Sequence, residues 1–271
     1  MTRFLVAPQW QGSPSSRAMR LIDGAEALAG DLPRSAVTRI DVPAEAGESL
    51  GSGIRRFSTL GRVRDAIAAA LAERDERPLV IGGDCAVAVP AIAHAASRHP
   101  SLAVVWFDAH GDLHTVDSSP SGALAGMALR AVSTPGPFVD RTLVPAERIM
   151  VVGARSLDDA EADHLATSGV RTLSADTVTA DPAALAEAIA ATGAEAVFVH
   201  VDLDVLDPSA ISGVLEPVPF GLDPGALTAA VHRLRERVPL VGASIAGFAP
   251  ASSDDAVEDL GTILRIVGAL A

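Results

Sequence analysis

Apolar residues along this chain fall into short unbroken runs, separated by longer stretches with a helical period. Eight runs read as strands: 4–7, 36–42, 78–81, 102–107, 148–152, 170–173, 196–201 and 240–245. They are continuously apolar rather than alternating, as in strands covered on both faces. Eight stretches carry a helical pattern: 16–29, 58–74, 86–98, 124–132, 157–167, 182–191, 224–237 and 254–270. Asp181-Pro182 and Asp223-Pro224 each put a capping side chain before a proline at the first helical position. Strands alternating with helices, joined by right-handed crossovers, predict an α/β fold. The expectation is a single domain over residues 1–271, with an eight-stranded, mostly parallel sheet and helices on both faces. Neither an internal repeat nor a domain boundary interrupts it. The Gly-, Ser- and Pro-rich stretches 44–53, 115–122 and 133–141 read as loops.

In parallel sheets of this kind, ligands bind beyond the carboxyl ends of the strands. Two acidic strings lie there. Asp108-Ala109-His110-Gly111-Asp112 follows the run 102–107, and Asp202-Leu203-Asp204, running on to Asp207-Pro208, follows 196–201. Hard oxygen donors plus an imidazole, delivered from two strand ends, are what a pair of divalent cations needs. If each strand continued, Asp108 would share a face with His110, and Asp202 with Asp204. Gly82-Gly83-Asp84-Cys85 follows a third strand-like run, and the loop 115–122 is placed to rim any site formed there.

Composition narrows the chemistry. The 271 residues are 49% hydrophobic, enough for a sizeable core, and carry a net charge of −13. That balance argues against nucleic acid or an anionic membrane as partner. It suits a cationic small molecule or carboxylates gathered around metal. All 21 basic residues are Arg, and Tyr is absent, which excludes a Lys Schiff base, a P-loop Lys and a Tyr acid. Cys85 is the one cysteine, so no intrachain disulfide forms. Without a spanning apolar run or a charged leader, a cytoplasmic protein is expected.

The three strings resemble the signatures of the arginase, or ureohydrolase, family: Gly-Gly-Asp-His-Ser, Asp-Ala-His-x-Asp and Ser-x-Asp-x-Asp-x-x-Asp-Pro. Here they read Gly82-Gly83-Asp84-Cys85-Ala86, Asp108 to Asp112, and His200 to Pro208. The resemblance implies two Mn2+ ions per subunit. Asp108 and Asp202 would bridge them, Cys85 and Asp112 would complete one, and His110 and Asp204 would complete the other. It also implies hydrolysis of a guanidino group, with Asp112 orienting the attacking water, and is compatible with assembly into a homo-oligomer. Cys85 departs from the family's His; a soft thiolate sits poorly with hard manganese.

The substrate positions are mixed. The arginase loop Asn-x-x-x-x-Thr-x-Ser-Gly-Asn-x-His-Gly becomes His114, Ser119, Ser121-Gly122-Ala123 and Ala125-Gly126. Ser119 and Ser121 remain able to meet a carboxylate, and His114 is the candidate replacement proton carrier. Asp158 and Glu161 stand where arginases hold the substrate's α-ammonium, although both also suit a helix N-terminus. The family's Asp-x-x-Glu-x-x-Pro segment, whose acid grips the guanidinium, reads Ser244 to Pro250 with both acids gone, and its Gly-Thr-Gly-Thr-Pro reads Gly213 to Pro217. An N-hydroxyguanidine is less basic than guanidine and needs that grip less. The expected substrate is therefore a small guanidino amino acid, foremost Nω-hydroxy-L-arginine cleaved to hydroxyurea and L-ornithine. That reaction belongs to a branch of the family, working in antibiotic biosynthesis, that this chain resembles down to its Cys85. Two other readings stay open: an arginase- or agmatinase-type hydrolase of another guanidino compound, and a catalytically degenerate binding paralogue. His94, His99, His164 and His232 read as surface or structural residues. His200, two before Asp202, reads equally as a partner of a metal ligand or as packing.

Overall fold

A computed structural model describes residues 2–73 and 75–271. The chain runs through β1 (Thr2–Ala7), α1 (Arg20–Gly30), β2 (Val37–Arg39), α2 (Phe57–Ala72), β3 (Arg77–Gly82), α3 (Ala88–Arg98) and β4 (Leu102–Phe107). It continues through α4 (Ala128–Ser133), β5 (Ile149–Val152), α5 (Asp159–Ser168), β6 (Arg171–Leu173), α6 (Ala175–Ala180) and α7 (Ala183–Ala190). It ends with β7 (Ala196–Asp202), α8 (Pro224–Arg237), β8 (Leu240–Ala246) and α9 (Ser253–Leu270). The eight strands form one sheet in the order β2-β1-β3-β8-β7-β4-β5-β6, and every pairing is parallel. The α/β architecture expected from the sequence is the one observed.

The unbroken apolar runs have a direct cause. Along β4, Ala103, Val105 and Phe107 enter one core with α1, α7, α8 and α9, while Leu102, Val104 and Trp106 enter the other with α2, α3 and α4. A strand sandwiched in this way has no solvent face on which to place polar residues. From β3 the chain crosses to β4, three strands away, and returns only later to insert β7 and β8 between them. The carboxyl ends of β3, β8, β7 and β4 therefore surround a topological switch point, where a crevice opens.

Several elements differ from expectation. The strand expected over 36–42 is confined to three residues at the sheet edge, followed closely by Pro43, which has no N–H to donate. The helix expected from residue 16 begins at Arg20, after a run of turns. The one expected to end at Arg74 is observed to Ala72, and Arg74 lies outside the described residues. None of the expected helical stretches covers α6. Its Thr177, Val178 and Thr179 are weak helix formers, and what starts it is Ser174, whose side chain accepts from the Thr177 N–H. Among the described residues, no helix is long and apolar enough to cross a membrane.

Candidate metal centre and active site

Both acidic strings are shaped by the same local device. At the end of β4, Asp108 Oδ1 accepts the His110 N–H at 2.7 Å; at the end of β7, Asp202 Oδ1 accepts the Asp204 N–H at 3.0 Å. Each first aspartate closes a turn on its own backbone two residues on. Neither strand continues as the face argument assumed: β4 ends at Phe107, and Leu203–Val205 is a 3-10 turn. The turns nonetheless aim the later side chains at one place. The Ala109 N–H donates to Asp204 Oδ1 at 3.0 Å, tying the two loops together.

The result is a cavity of about 290 Å3 whose wall includes Cys85, Asp108, His110, Asp112, Asp202 and Asp204. His110 Nδ1 lies 3.0 Å from Asp204 Oδ2 and 3.4 Å from Asp108 Oδ1. The Cys85 thiol points at Asp202 Oδ2, 2.8 Å away. The Trp106 indole N–H, from within the core, donates to Asp108 Oδ2 at 3.1 Å. Asp112 is held at φ +52, a left-handed conformation costly for a non-glycine residue, and its buried Oδ2 has no hydrogen-bond partner.

Electrostatics mark the cluster as short of positive charge. Burial, with repulsion from Asp204, pushes the Asp202 carboxyl up to about 7. Burial and Asp108 push Asp204 up to about 6. Asp108 is raised by burial and by Asp202, and Asp112 by burial and by Asp108. Burial lowers the His110 pKa, but hydrogen bonds and attraction from Asp108 and Asp204 outweigh it and bring the group to about 12. The Cys85 thiol is raised by burial and then by Asp202, Asp112 and Asp108. Four buried carboxylates around one imidazole, one of them with an unpartnered buried oxygen, form the donor set that fits divalent cations. Asp108, His110 and Asp204 offer ligand atoms within 4.8 Å of one another, and so do Cys85, Asp108 and His200.

The expected substrate residues divide. His114, Ser121 and Glu161 line the cavity, whereas Ser119 and Asp158 stand outside its wall. Ser119 Oγ accepts the Gly122 N–H and Ser121 Oγ the Ala123 N–H, so both shape the rim loop. Asp158 caps α5 by accepting from the Glu161 N–H, and its second oxygen meets His114 Nε2 at 3.2 Å. Glu161 turns inward and accepts the Leu113 N–H at 3.2 Å, bracing the backbone next to Asp112. His114, Asp158 and Glu161 present ligand atoms within 4.8 Å of one another. Asp84 sits beneath the cavity, accepting from Gln9, Gly12 and Ala86, and burial carries it to about 6.

Two residues escaped the sequence reading. Glu216 reaches over the cavity to within 3.8 Å of His110 Nε2, with its side chain 56% exposed. Nothing local marks it, since it comes from an irregular loop. Arg155, just past β5, donates to the carbonyls of Gly153, Asp204, Val205, Leu206, Val218 and Pro219. It binds the metal-side turn to the rim, a role that only the assembled loops disclose.

The model of the Arginase family matches residues 27–264. The chain belongs to the arginase family. Membership makes it a hydrolase of carbon–nitrogen bonds in linear amidines. The arginase of Bacillus caldovelox is 31% identical over 210 residues, covering 71% of this chain and 67% of that one. An N(omega)-hydroxy-L-arginine amidinohydrolase of Streptomyces lavendulae is 28% identical over 213 residues, covering 77% of this chain and 74% of that protein. The fold is shared with the Entamoeba histolytica arginase solved in complex with L-ornithine, at a TM-score of 0.86 and 22% identity over 99% of this chain and 97% of that one.

Proposed function

We propose that this arginase-family protein hydrolyses Nω-hydroxy-L-arginine to hydroxyurea and L-ornithine in the cytoplasm, using a pair of divalent cations with manganese at the position of His110 and Asp204. The observation that carries this reading is the wall where arginases place their guanidinium-gripping acid. Gly247 occupies it, at φ +88, and a Cβ there would stand 2.2 Å from Asp202 Oδ1. No carboxylate can be presented from this position. The acid that remains within reach, Glu216, is half-exposed, and its charge is screened by water. A permanently charged guanidinium entering the cavity would lose its hydration without a buried partner. A hydroxyguanidine can enter neutral.

Cys85, Asp108, His110, Asp112, Asp202 and Asp204 would hold a pair of divalent ions, which when bound would supply an acidified water as nucleophile. The remaining work falls to the chain. Asp112, which lines the cavity and whose Oδ2 is buried without a partner, would orient that water and take its proton. The bond between the guanidino carbon and the substrate's chain nitrogen breaks. The departing amine receives the proton from Asp112 or through His114, whose Nε2 is aligned by Asp158 and whose Nδ1 lies 3.2 Å from Ser118 Oγ. Glu161, which lines the cavity, offers its carboxylate to the α-ammonium, while Asp158 stands behind it, capping α5 and holding His114. The Ser121 hydroxyl, whose oxygen already accepts a backbone N–H, keeps its own hydrogen for the carboxylate, and Ser119 shapes the loop that carries it. The 290 Å3 cavity suits an amino acid of this size.

The test is a comparison at matched manganese content, scoring urea, hydroxyurea and ornithine. The expected result is release of hydroxyurea with a kcat/KM at least about 100-fold above that for arginine. This corresponds to about 2.7 kcal/mol of discrimination, within what one unpaired buried charge costs. Faster cleavage of arginine would overturn the assignment.

A further inference from the structure

One buried nitrogen near the site has no function in the reading above. His200 lies on β7 beneath the cavity floor, completely buried, with Nε2 unpartnered. Nδ1 is fixed by Ser244 Oγ at 2.8 Å, across the β7–β8 pair in which His200 stands opposite Ser244. Its ring lies against Trp106 on the other neighbouring strand, with centroids 3.8 Å apart and planes 30° apart. Trp106 in turn orients Asp108 through the indole N–H. The imidazole is thus clamped on both sides, and a buried nitrogen left without a partner is a net cost to folding. A ligand offers a reason for it. A ring nitrogen of His200, Cys85 Sγ and an Asp108 oxygen all lie within 4.8 Å of one another. Donors about 2.0–2.3 Å from one ion stand up to about 4.5 Å apart, so a slight contraction brings the three onto a single cation.

We propose that His200 is a ligand: its Nε2 joins Cys85, Asp108, Asp112 and Asp202 around one cation and makes that position a nitrogen–sulfur–oxygen site. With Nδ1–H donating to Ser244 Oγ, the tautomer leaves the Nε2 lone pair free, the usual arrangement for a metal-binding imidazole. The imidazole missing at position 85 is therefore supplied from β7, two strands across the sheet from β3. Thiolate and imidazole together favour a borderline ion such as zinc or cobalt over manganese. The position at His110 and Asp204, with oxygen donors and a single imidazole, keeps the harder preference. The two cation positions of this chain differ in the metal they select.

The inference rests on the two-cation reading, and the experiment separates them. Protein labelled with 15N is stripped with a chelator and titrated with Zn2+, following the histidine ring nitrogens by long-range 1H–15N correlation. Bound metal is counted by mass spectrometry. Two equivalents are expected to bind, one moving a His110 nitrogen and the other moving His200 Nε2. In His200→Gln the second equivalent is expected to weaken by more than about 100-fold, beyond the about 10–100-fold that an orienting partner controls. Ser244→Ala should weaken it within that smaller range. Two bound equivalents with an unmoved His200 Nε2 would overturn the assignment while leaving the two-cation site standing. Absence of any zinc binding would overturn both. The titration of the unaltered protein decides the matter even if His200→Gln does not fold.

Discussion

Gly247 has φ +88, and its N–H donates to the Gly83 carbonyl at 2.9 Å, locking the end of β8 against the turn after β3. The left-handed conformation and the 2.2 Å approach to Asp202 act on the same residue. In Gly247→Ala, the backbone strain alone costs about 1–3 kcal/mol, and Asp202 must move out of register with Cys85. The expected outcome is a folded protein with a lowered melting temperature that retains less than two equivalents of metal. A variant holding two equivalents with wild-type affinity would show that Asp202 tolerates the displacement. Asp112 shows the converse use of strain: its left-handed backbone and unpartnered oxygen persist because Glu161 fixes the neighbouring Leu113 N–H and the Arg130 N–H donates to the Asp112 carbonyl.

Loops rather than helices set the cavity's dimensions, and their order is imposed by a few polar side chains. Arg155 gathers six carbonyls from three segments, at distances from 2.7 to 3.3 Å. Asp207 accepts from Ser209 N and Oγ, from Phe220 N and from Gly221 N, and these bonds bring its pKa to about 2. Asp259 on α9 holds Ser212 and Gly213, immediately before the stretch that carries Glu216. Arg155→Met keeps most of the volume but leaves these carbonyls without their donor. Charged hydrogen bonds each contribute about 1.5–3 kcal/mol, and not additively, so a loss of about 2–4 kcal/mol in urea unfolding is expected. Asp204 should lose its fixed position, weakening the cation beside His110. An unchanged urea midpoint would show that water replaces the guanidinium without cost.

For the molecule as a whole, the cluster makes stability depend on pH and on cations. Asp84, Asp202 and Asp204 titrate in the folded chain at about 6, 7 and 6, above the usual carboxyl value of about 3.9. His110, pushed up to about 12, also binds its proton more tightly than in an unfolded chain. In each case the folded state holds more protons, so this contribution to stability is lost as pH rises, through the carboxyls between about 4 and 7 and through His110 above about 6.5. Burial lowers His200 to about 3 and also lowers His94 and His164, giving opposing contributions that are lost as pH falls below about 6.5. Three carboxyls together with His110 outweigh them. The cation-free protein is expected to melt at a lower temperature at pH 8 than at pH 5.5, and divalent cations should remove most of that difference by taking the place of the protons. A melting temperature in chelator that rises over this interval would contradict the expectation.

Alternation of continuous apolar runs with helical stretches points to a parallel sheet covered on both faces, because a strand buried on both sides has no solvent face to make its polar residues alternate. The carboxyl-end location of Asp108 to Asp112 and Asp202 to Asp204 follows from the same pattern, and their donor chemistry is legible in the letters alone. Short elements such as α6 and β2 were less legible, since their extent depends on a single cap or an edge partner. Glu216 and Arg155 lay beyond sequence reasoning for a different reason, and His200 was open between a partner of a metal ligand and packing. Their partners are 49 to 106 residues away or on adjoining strands, as with Arg155 and Asp204, His200 and Ser244, and Glu216 and His110. Local patterns report which face of an element is buried. Which two distant side chains meet is decided by strand order, and that order is a property of the packed chain.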